Sequence, residues 1–491
     1  MTDQPFQYKT APYDHQRMVF EQTREFQYYA LFWEMGTGKS KVSIDTMQWL
    51  FLQGKIDSVI ITAEKGYYMN WVLNEIPTHW PDNLPIRIIN YTSYLTAANK
   101  TRMNGALKPI PGTLDVLVIN IESMSGEIMA GTVYAKKFIN AHNSIMMIVD
   151  ESTTIKSPKA ARTKCVIALG KHCQYRRILT GTPITQSPID MFSQCQFLKA
   201  GVTGFSSYTS FKSYYSIMQP VQIGYNRTIF QTVGYRELDD LAARIQPFSS
   251  RLLKKDCLTL PDKVYTPIYI DPTPEQITYI TRLKNEAMTS IGQGLITVEN
   301  ALSMLTKALQ IAGGHVKDDD GGVHRIPCSK AARLTELVTD IGSNEKIIVW
   351  GYFREDMAVI QEALTGVCTV FEVSGRIDQE QRERNIEQFR QYKGKCVFLA
   401  SPRVAGKSLT LVEATYSIYY SNGFNLEHRL QSEDRNHRIG QTNKVTYFDL
   451  ICIDTPDTKV VKALHDKEVI SRSVLDKISA FFKPDEVKNL F

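Results

Sequence analysis

The 491-residue chain has no stretch approaching the roughly 18 apolar residues that cross a bilayer, and its first residues, MTDQPFQYKT, lack the basic-then-apolar order of a signal peptide. Both absences point to an intracellular protein with no membrane partner. The eight cysteines are scattered from Cys165 to Cys452 and form none of the closely spaced pairs that a zinc site or a redox dithiol needs. They read as reduced packing residues. There is no internal repeat and no low-complexity tail. An excess of one charge is also nearly lacking: 57 Lys and Arg face 51 Asp and Glu, and the net +6 is spread along the chain. Charge alone is therefore weak support for a nucleic-acid partner.

What is present is a rhythm. The length allows about two to four domains, and 43% hydrophobic residues supply a core for each. Up to about Leu198, short apolar runs (Ser58 to Thr62, Asp115 to Asn120, Ile145 to Asp150) alternate with longer amphipathic segments, which predicts buried parallel strands with crossover helices. From Gly201 to about Arg325 the rhythm is lost. Aromatic-rich segments that read as helical (Phe205 to Met218, Pro274 to Val316) flank the basic stretch Arg251 to Asp256, which reads as a connection between lobes. Strand-like runs return at Lys346 to Tyr352, Lys395 to Ser401 and Tyr416 to Ser421, and Asp318 to Gly322 reads as an exposed turn. The expected organisation is α/β, with two tandem parallel-sheet lobes and helical insertions. The first lobe covers 1–255 with an insertion at about 201–250, and the second covers 256–491 with an insertion at about 272–325.

Three strings carry the chemistry. Gly36-Thr37-Gly38-Lys39-Ser40 follows the apolar run Tyr29 to Trp33 and precedes a helix-like pattern from Val42. In that setting glycines turn backbone N–H groups toward phosphates at a helix N-terminus, Lys39 reaches the β and γ phosphates, and the Ser40 hydroxyl ligates magnesium. The strict P-loop pattern wants a glycine where Trp33 stands. The second string ends a buried-strand run in Asp150-Glu151, with Asp150 suited to hold magnesium and Glu151 to orient and deprotonate the attacking water. In the third, Gln431 to Gln441, Arg435 and Arg438 lie three apart and would share one face of a helix, as arginine fingers on the γ-phosphate. In isolation such a charge-rich run reads as a solvated helix.

Taken in this order, the strings resemble the Swi/Snf-related ATPases of helicase superfamily two, a family of DNA translocases, across nearly the whole chain. EMGTGKS resembles EMGLGKT, DESTTIKSP resembles DEAHRIKN, LTGTPI resembles LTGTPIQN, and QSEDRNHRIGQ resembles QAEDRAHRIGQ. The resemblance implies RecA-like lobes, ATP and Mg2+ as cofactors, Gln16 as the adenine-reading glutamine, Gln431 as a further nucleotide contact, and Ile61 to Trp71 as the first DNA-contacting motif. It implies double-stranded DNA as partner, with branched DNA or a polymerase as further candidates, and a monomeric motor. Lys65, Arg376 and Arg403 are DNA-contact candidates by their proximity to matching motifs. The aromatic set Tyr208, Phe211, Tyr214 and Tyr215 has near-helical spacing and reads as packing rather than base stacking.

The departures concern coupling. Ala405 and Ser408 replace glycines of the loop Val404 to Leu411, and Thr410 replaces its asparagine; in the family that loop couples DNA and nucleotide contacts. Ser152 and Thr153 stand for the usual alanine and histidine, leaving the acid chemistry intact. The expected activity is ATP-driven tracking along duplex DNA that remodels DNA or protein–DNA complexes. A strand-separating or branch-migrating helicase on forks or RNA, for which the sequence offers no identifiable wedge hairpin, and a nucleotide-switched scaffold remain as alternatives. With no chromatin-reader, nuclease or methyltransferase segment identifiable, a stand-alone motor suits the cytoplasm or nucleoid, or a host cytoplasm for a viral source.

Overall fold

The computed structural model describes residues 5–93, 96–125, 129–223, 227–292, 298–317, 322–405 and 409–478. The chain separates into two compact units. The first holds the described residues of Met1–Gln219, Gln231–Leu258 and Val469–Phe491, and the second those of Pro220–Phe230 and Thr259–Glu468.

The first unit is built on strands β1 (Tyr28–Trp33), β2 (Ser58–Ala63), β3 (Ile86–Asn90), β4 (Leu114–Asn120), β5 (Ile145–Asp150) and β6 (Tyr175–Leu179). After a hairpin of β7 (Ser216–Ile223) and β8 (Arg227–Tyr235), strand β9 (Ser249–Leu252) completes the sheet. Its order is β3-β4-β2-β5-β6-β1-β9, and every pairing is parallel. Successive side chains of a strand point to opposite faces, and here both faces are covered. Along β5, Ile145, Met147 and Val149 therefore enter one core while Met146 and Ile148 enter the other. Continuous apolar runs, rather than alternating ones, are the consequence.

The second unit repeats the plan. Its strands are β10 (Lys263–Ile270), the short pair β11 (His315–Lys317) and β12 (Val323–Arg325), β13 (Lys346–Trp350), β14 (Thr369–Val373), β15 (Cys396–Ala400), β16 (Tyr416–Tyr419) and β17 (Val445–Cys452). The sheet order is β10-β17-β16-β13-β15-β14, again parallel throughout. Ile347 and Val349 of β13 pack on one face, Ile348 and Trp350 on the other. The expected pair of parallel-sheet lobes is what the chain forms.

The insertions differ in part from the expectation. The segment 272–325 contributes helices Pro274–Gly292 and Val298–Ala312. The expected turn at Asp318 to Gly322 falls on residues 318–321, outside the described residues. Within 201–250, however, the expected helix ends at Tyr215, and β7 and β8 form a two-stranded sheet. The β-branched residues Ile217, Val221, Ile223, Thr228, Ile229, Thr232 and Val233 favour strands, and they outweigh the aromatic spacing that suggested helix. The packing reading of the aromatics fits the structure, since Phe211 and Tyr215 are fully buried. The basic stretch after Ser250 is likewise more than a connection: Arg251 and Leu252 lie in β9 at the sheet edge. All eight cysteines are free, and among the described residues no helix is long and apolar enough to cross a membrane.

Candidate active site

In an open parallel sheet the functional loops gather beyond the carboxyl ends of the strands. Here β1, β6 and β5 are neighbours, so the loops after Trp33, Leu179 and Asp150 lie side by side. Beyond β1 the chain turns through Gly36 (φ +79°) and Gly38 (φ +90°) into the helix Lys39–Leu52. Gly38 is favoured because an L-residue rarely adopts that φ, and an added Cβ would also push the Gln16 amide out of its place. Gln16, on the helix Asp14–Thr23, donates from Nε2 to the Thr37 carbonyl (3.1 Å) and accepts at Oε1 from the Tyr13 N–H (3.0 Å). The glutamine expected to read adenine is thus also a brace for the phosphate loop. Thr37 closes the turn by donating to the Glu34 carbonyl at 2.7 Å. Trp33, the departure from the strict motif, is a core residue of β1 whose Nε1 donates to Ser250 Oγ at 2.9 Å.

Lys39 is buried and donates to the carbonyls of Trp33 (2.9 Å) and Glu34 (3.4 Å), a parking position at the mouth of the loop. Asp150 ends β5, and its Oδ1 accepts from the Glu151 N–H at 3.0 Å while Oδ2 accepts from Trp71 Nε1 at 2.8 Å. Glu151 has φ +46°, a left-handed conformation that a non-glycine residue holds at a cost, and strain of this kind concentrates at functional sites. Its Oε2 accepts from Thr180 Oγ1 at 3.2 Å, and Thr180 Oγ1 in turn accepts from the Thr182 N–H. Burial pushes both carboxyls above the usual carboxylate range. Trp71 and Lys39 oppose the rise at Asp150; at Glu151 Lys39 opposes it, and the neighbouring Asp150 and Glu64 add to it. The pair is short of positive charge.

A segment read only as a DNA-contact motif enters this site. After β2 a π-helical turn, Trp71–Glu75, brings Trp71 onto Asp150, and the Glu75 charge adds to the rise at Asp150. Glu75 Oε1 also accepts from Asn70 Nδ2 (2.9 Å) and the Tyr67 hydroxyl (3.3 Å). Trp71 was legible only as part of a family motif. Tyr67 and Thr180 were likewise legible only as members of quoted motifs, and Glu75 was not legible as a site residue, because its place depends on which strands are neighbours.

The second unit carries the arginine string. The helix that supports it, Leu426–Glu433, stops before Arg435, so the expected shared helix face is corrected: Arg435 and Arg438 lie in the turns that follow. The helix yields to tertiary hydrogen bonds, since the Arg435 carbonyl accepts from the Leu411 N–H (2.8 Å) and Asn436 Nδ2 donates to the Ala414 carbonyl (3.3 Å). The two guanidinium groups still converge, both donating to the Leu409 carbonyl, at 3.1 Å from Arg435 and 3.4 Å from Arg438. Leu409 belongs to the loop Val404 to Leu411, of which 406–408, including Ser408, lie outside the described residues. Gln431 is buried and donates from Nε2 to Glu427 Oε1 at 3.1 Å.

Of the DNA-contact candidates, Lys65 follows β2 with its backbone N–H on Glu122 Oε2 (2.9 Å). Arg376 and Arg403 follow the adjacent strands β14 and β15, so they share the carboxyl edge of the second sheet. All three side chains are exposed. Arg403 is oriented by Tyr352, donating to its hydroxyl at 2.6 Å with the guanidinium 4.7 Å from the ring centre. Arg376 faces Glu372 at 3.9 Å.

Residues 20–313 match the family model described as SNF2-related domain, and residues 329–440 match the helicase conserved C-terminal domain. The chain is similar to the ATP-dependent DNA helicase DDM1 of Arabidopsis thaliana, 22% identical over 90% of this chain and 58% of that protein. It is also similar to the uncharacterized ATP-dependent helicase MG018 of Mycoplasma genitalium, 25% identical over 79% of this chain and 36% of that protein. The DNA annealing helicase and endonuclease ZRANB3 of Mus musculus is 24% identical over 69% of this chain and 30% of its own length. The chain thus spans well under two thirds of these relatives. Among solved structures, the Sulfolobus solfataricus SWI2/SNF2 ATPase core in complex with dsDNA is 22% identical, with a TM-score of 0.42, 99% of this chain and 98% of that chain being covered.

Proposed function

The chain belongs to the SNF2-related family, and from that premise we propose that it hydrolyses ATP to move along double-stranded DNA and remodel DNA or protein–DNA complexes. The observation that carries this reading is the buried Asp150-Glu151 pair, deficient in positive charge, beside a glycine cradle and Lys39 on one sheet edge. The Asp150 carboxylate and the Ser40 hydroxyl are oxygen ligands of the kind that suit magnesium bound together with a nucleotide. Asp150 and Ser40 would hold it, and when bound it neutralises phosphate charge. Lys39 leaves its carbonyls for the phosphates, Glu151 takes the proton of the attacking water, and Thr180 holds Glu151 in line. The resemblance of their motif supports Arg435 and Arg438 as arginine fingers that stabilise γ-phosphate charge.

The names of two of the relatives, an ATP-dependent DNA helicase and a DNA annealing helicase, support a DNA-dependent enzyme, and the resemblance of motifs supports tracking on duplex. One observation favours the strand-separating alternative: the ribbon Ser216–Tyr235 is a hairpin, and its Phe230 is 67% exposed. The decisive experiment measures ATP turnover with duplex DNA, single-stranded DNA, forks and RNA, together with third-strand displacement from a triplex. Duplex should stimulate most, triplex displacement should require ATP, and both should weaken steeply with salt as phosphate contacts release counterions. Separation of a simple duplex without triplex displacement overturns tracking in favour of unwinding. Nucleotide binding without turnover on any substrate leaves the switched scaffold.

A further inference from the structure

On the reading of Glu151 as the base for the attacking water, we propose that Gln194 is its positioning residue, acting through Ser152. Glu151 holds a left-handed backbone at φ +46°, and a strained residue keeps its geometry only where its surroundings over-determine it. The next residue supplies that constraint. Ser152 opens the 3₁₀ turn Ser152–Ile155, and its Oγ donates to Gln194 Oε1 at 2.7 Å. Gln194 lies on the helix Met191–Leu198, and its Nε2 donates to the carbonyls of Pro183 (2.8 Å) and Asp190 (2.9 Å). Both side chains are fully buried. Pro183 belongs to the loop after β6 that also carries Thr180, the hydroxyl that donates to Glu151 Oε2 at 3.2 Å. One buried amide thus clasps the two loops that meet at the carboxylate.

The donors and acceptors leave the clasp a single arrangement. A glutamine amide has one acceptor oxygen and an NH2 group with two donors, whereas a backbone carbonyl only accepts. The NH2 group must therefore face Pro183 and Asp190, and Oε1 is left for the Ser152 proton. Turning the amide over would set its oxygen against two carbonyls. A buried network in which every member is satisfied is rigid. A second tie runs beside the first: Lys156, just past the 3₁₀ turn, donates to the Thr185 hydroxyl, and the Thr185 N–H and Oγ1 donate to Asp190 Oδ2 at 3.0 and 3.1 Å. Asp190 immediately precedes the Gln194 helix, so one short helix anchors both loops. Ser152 stands where the resembled motif has alanine, which has no hydroxyl proton to give. The clasp is therefore built from this chain's own departure, and that departure acquires a task.

The test is steady-state ATP turnover of the full chain with saturating duplex DNA, together with ADP affinity by calorimetry and stability in urea. Gln194→Met should lower kcat by about 10–100-fold, the order that a displacement of about 1 Å costs, while KM for ATP and ADP affinity stay within about threefold. Ser152→Ala removes one oxygen atom and should lower kcat by about tenfold in the same manner. The double variant should fall no further than Gln194→Met, since both changes open the same clasp. It should nevertheless be more stable than Gln194→Met, in which the Ser152 proton is buried without its acceptor. Turnover that recovers along with stability in the double variant shows a merely structural role and overturns the proposal. Losses that multiply in the double variant overturn it too, as does a loss of ADP affinity as large as the loss of kcat, or a kcat within about twofold of the parent in Ser152→Ala. If Gln194→Met fails to fold, Ser152→Ala carries the decision. Glu151→Gln separates the premise from the proposal. Parental turnover in that variant removes the base and the clasp's task with it, whereas an inactive Glu151→Gln beside an unimpaired Ser152→Ala removes the clasp alone.

Discussion

Each unit buries a cluster of charged side chains beyond its sheet, yet the two clusters stand in opposite electrostatic states. In the first, Asp150 and Glu151 are pushed above the ordinary carboxylate range by burial that Lys39 does not fully offset. In the second, burial also pushes Glu433 up, but Lys263 and Arg429 more than reverse it, bringing the carboxyl down to about 2. Arg429 is shared between Glu433 Oε1 (2.7 Å) and Asp449 (2.5 and 3.0 Å), and its guanidinium lies 3.5 Å from the Tyr419 ring centre. Lys263 and Tyr265, on the edge strand β10, complete the set with bonds of 2.9 and 2.7 Å to Glu433 Oε2. The difference separates a site from a scaffold. A cluster satisfied from within holds the helix Leu426–Glu433 behind the arginine string, whereas a cluster left negative is one that a cationic ligand completes.

The sharpest way to break this comparison is at the unsatisfied cluster. Lys39→Ala should reduce ATP turnover to background in a chain that remains folded, and Glu151→Gln should bind ATP and stall. Steady-state turnover within about tenfold of the parent in either variant removes the role given to that residue. Next in size is Arg438→Ala, which should lose DNA-stimulated hydrolysis by about 10²-fold or more while nucleotide affinity is kept. Arg435→Ala should be similarly impaired. A normal DNA-stimulated rate in Arg438→Ala would show that the pair converging on the Leu409 carbonyl is not a finger.

The satisfied cluster should answer to stability instead. Arg429→Ala leaves the buried Asp449 without its bidentate cation and takes one of two cations from Glu433, and breaking a buried pair in this way costs about 3–5 kcal/mol. Asp150→Asn in the nucleotide-free protein removes a buried charge that is poorly compensated, so its stability should be unchanged or higher. Urea unfolding of both variants decides the matter. If Asp150→Asn is as destabilised as Arg429→Ala, the two clusters are alike and the contrast is lost.

How far the sequence reached follows the same line between local and distant. The parallel sheets were readable because strands covered on both faces are continuously apolar, as Ile145 to Val149 are. Gly36, Gly38, Lys39, Asp150 and Glu151 were readable because strand-end loops carry their chemistry in adjacent residues. The helix expected under Arg435 and Arg438 failed for the opposite reason: Leu411 and Ala414, more than twenty positions away, draw the backbone out of the helical pattern. The β7–β8 ribbon was obscured by aromatic spacing. Glu75 was invisible, and Thr180 was legible only as a member of LTGTPI, because nothing in a one-dimensional pattern says that β2, β6 and β1 deliver their loops to the ends of the same sheet as β5.

The smallest expected effect is also the one that sets the two clusters directly against each other, through pH. Glu433 titrates below its ordinary value of 4.5 in the folded chain, so its contribution to stability is complete above about pH 4.5 and is lost as pH falls toward about 2. Asp150 and Glu151 have the reverse sign. Burial raises both folded values above the ordinary carboxylate range, so between that range and neutrality the native state binds more protons than the unfolded one. Stability of the nucleotide-free protein should therefore rise modestly as pH falls from 7 to 5, before the satisfied cluster begins to fail below 4.5. Glu151→Gln should flatten the slope between pH 7 and 5 and leave the acid limb untouched. Magnesium with ADP should flatten it too, because a cation at Asp150 favours the ionised pair over the protonated one. A parent whose stability falls steadily from pH 7 to 5, or a Glu151→Gln profile that matches the parent, would mean that the first cluster is compensated after all.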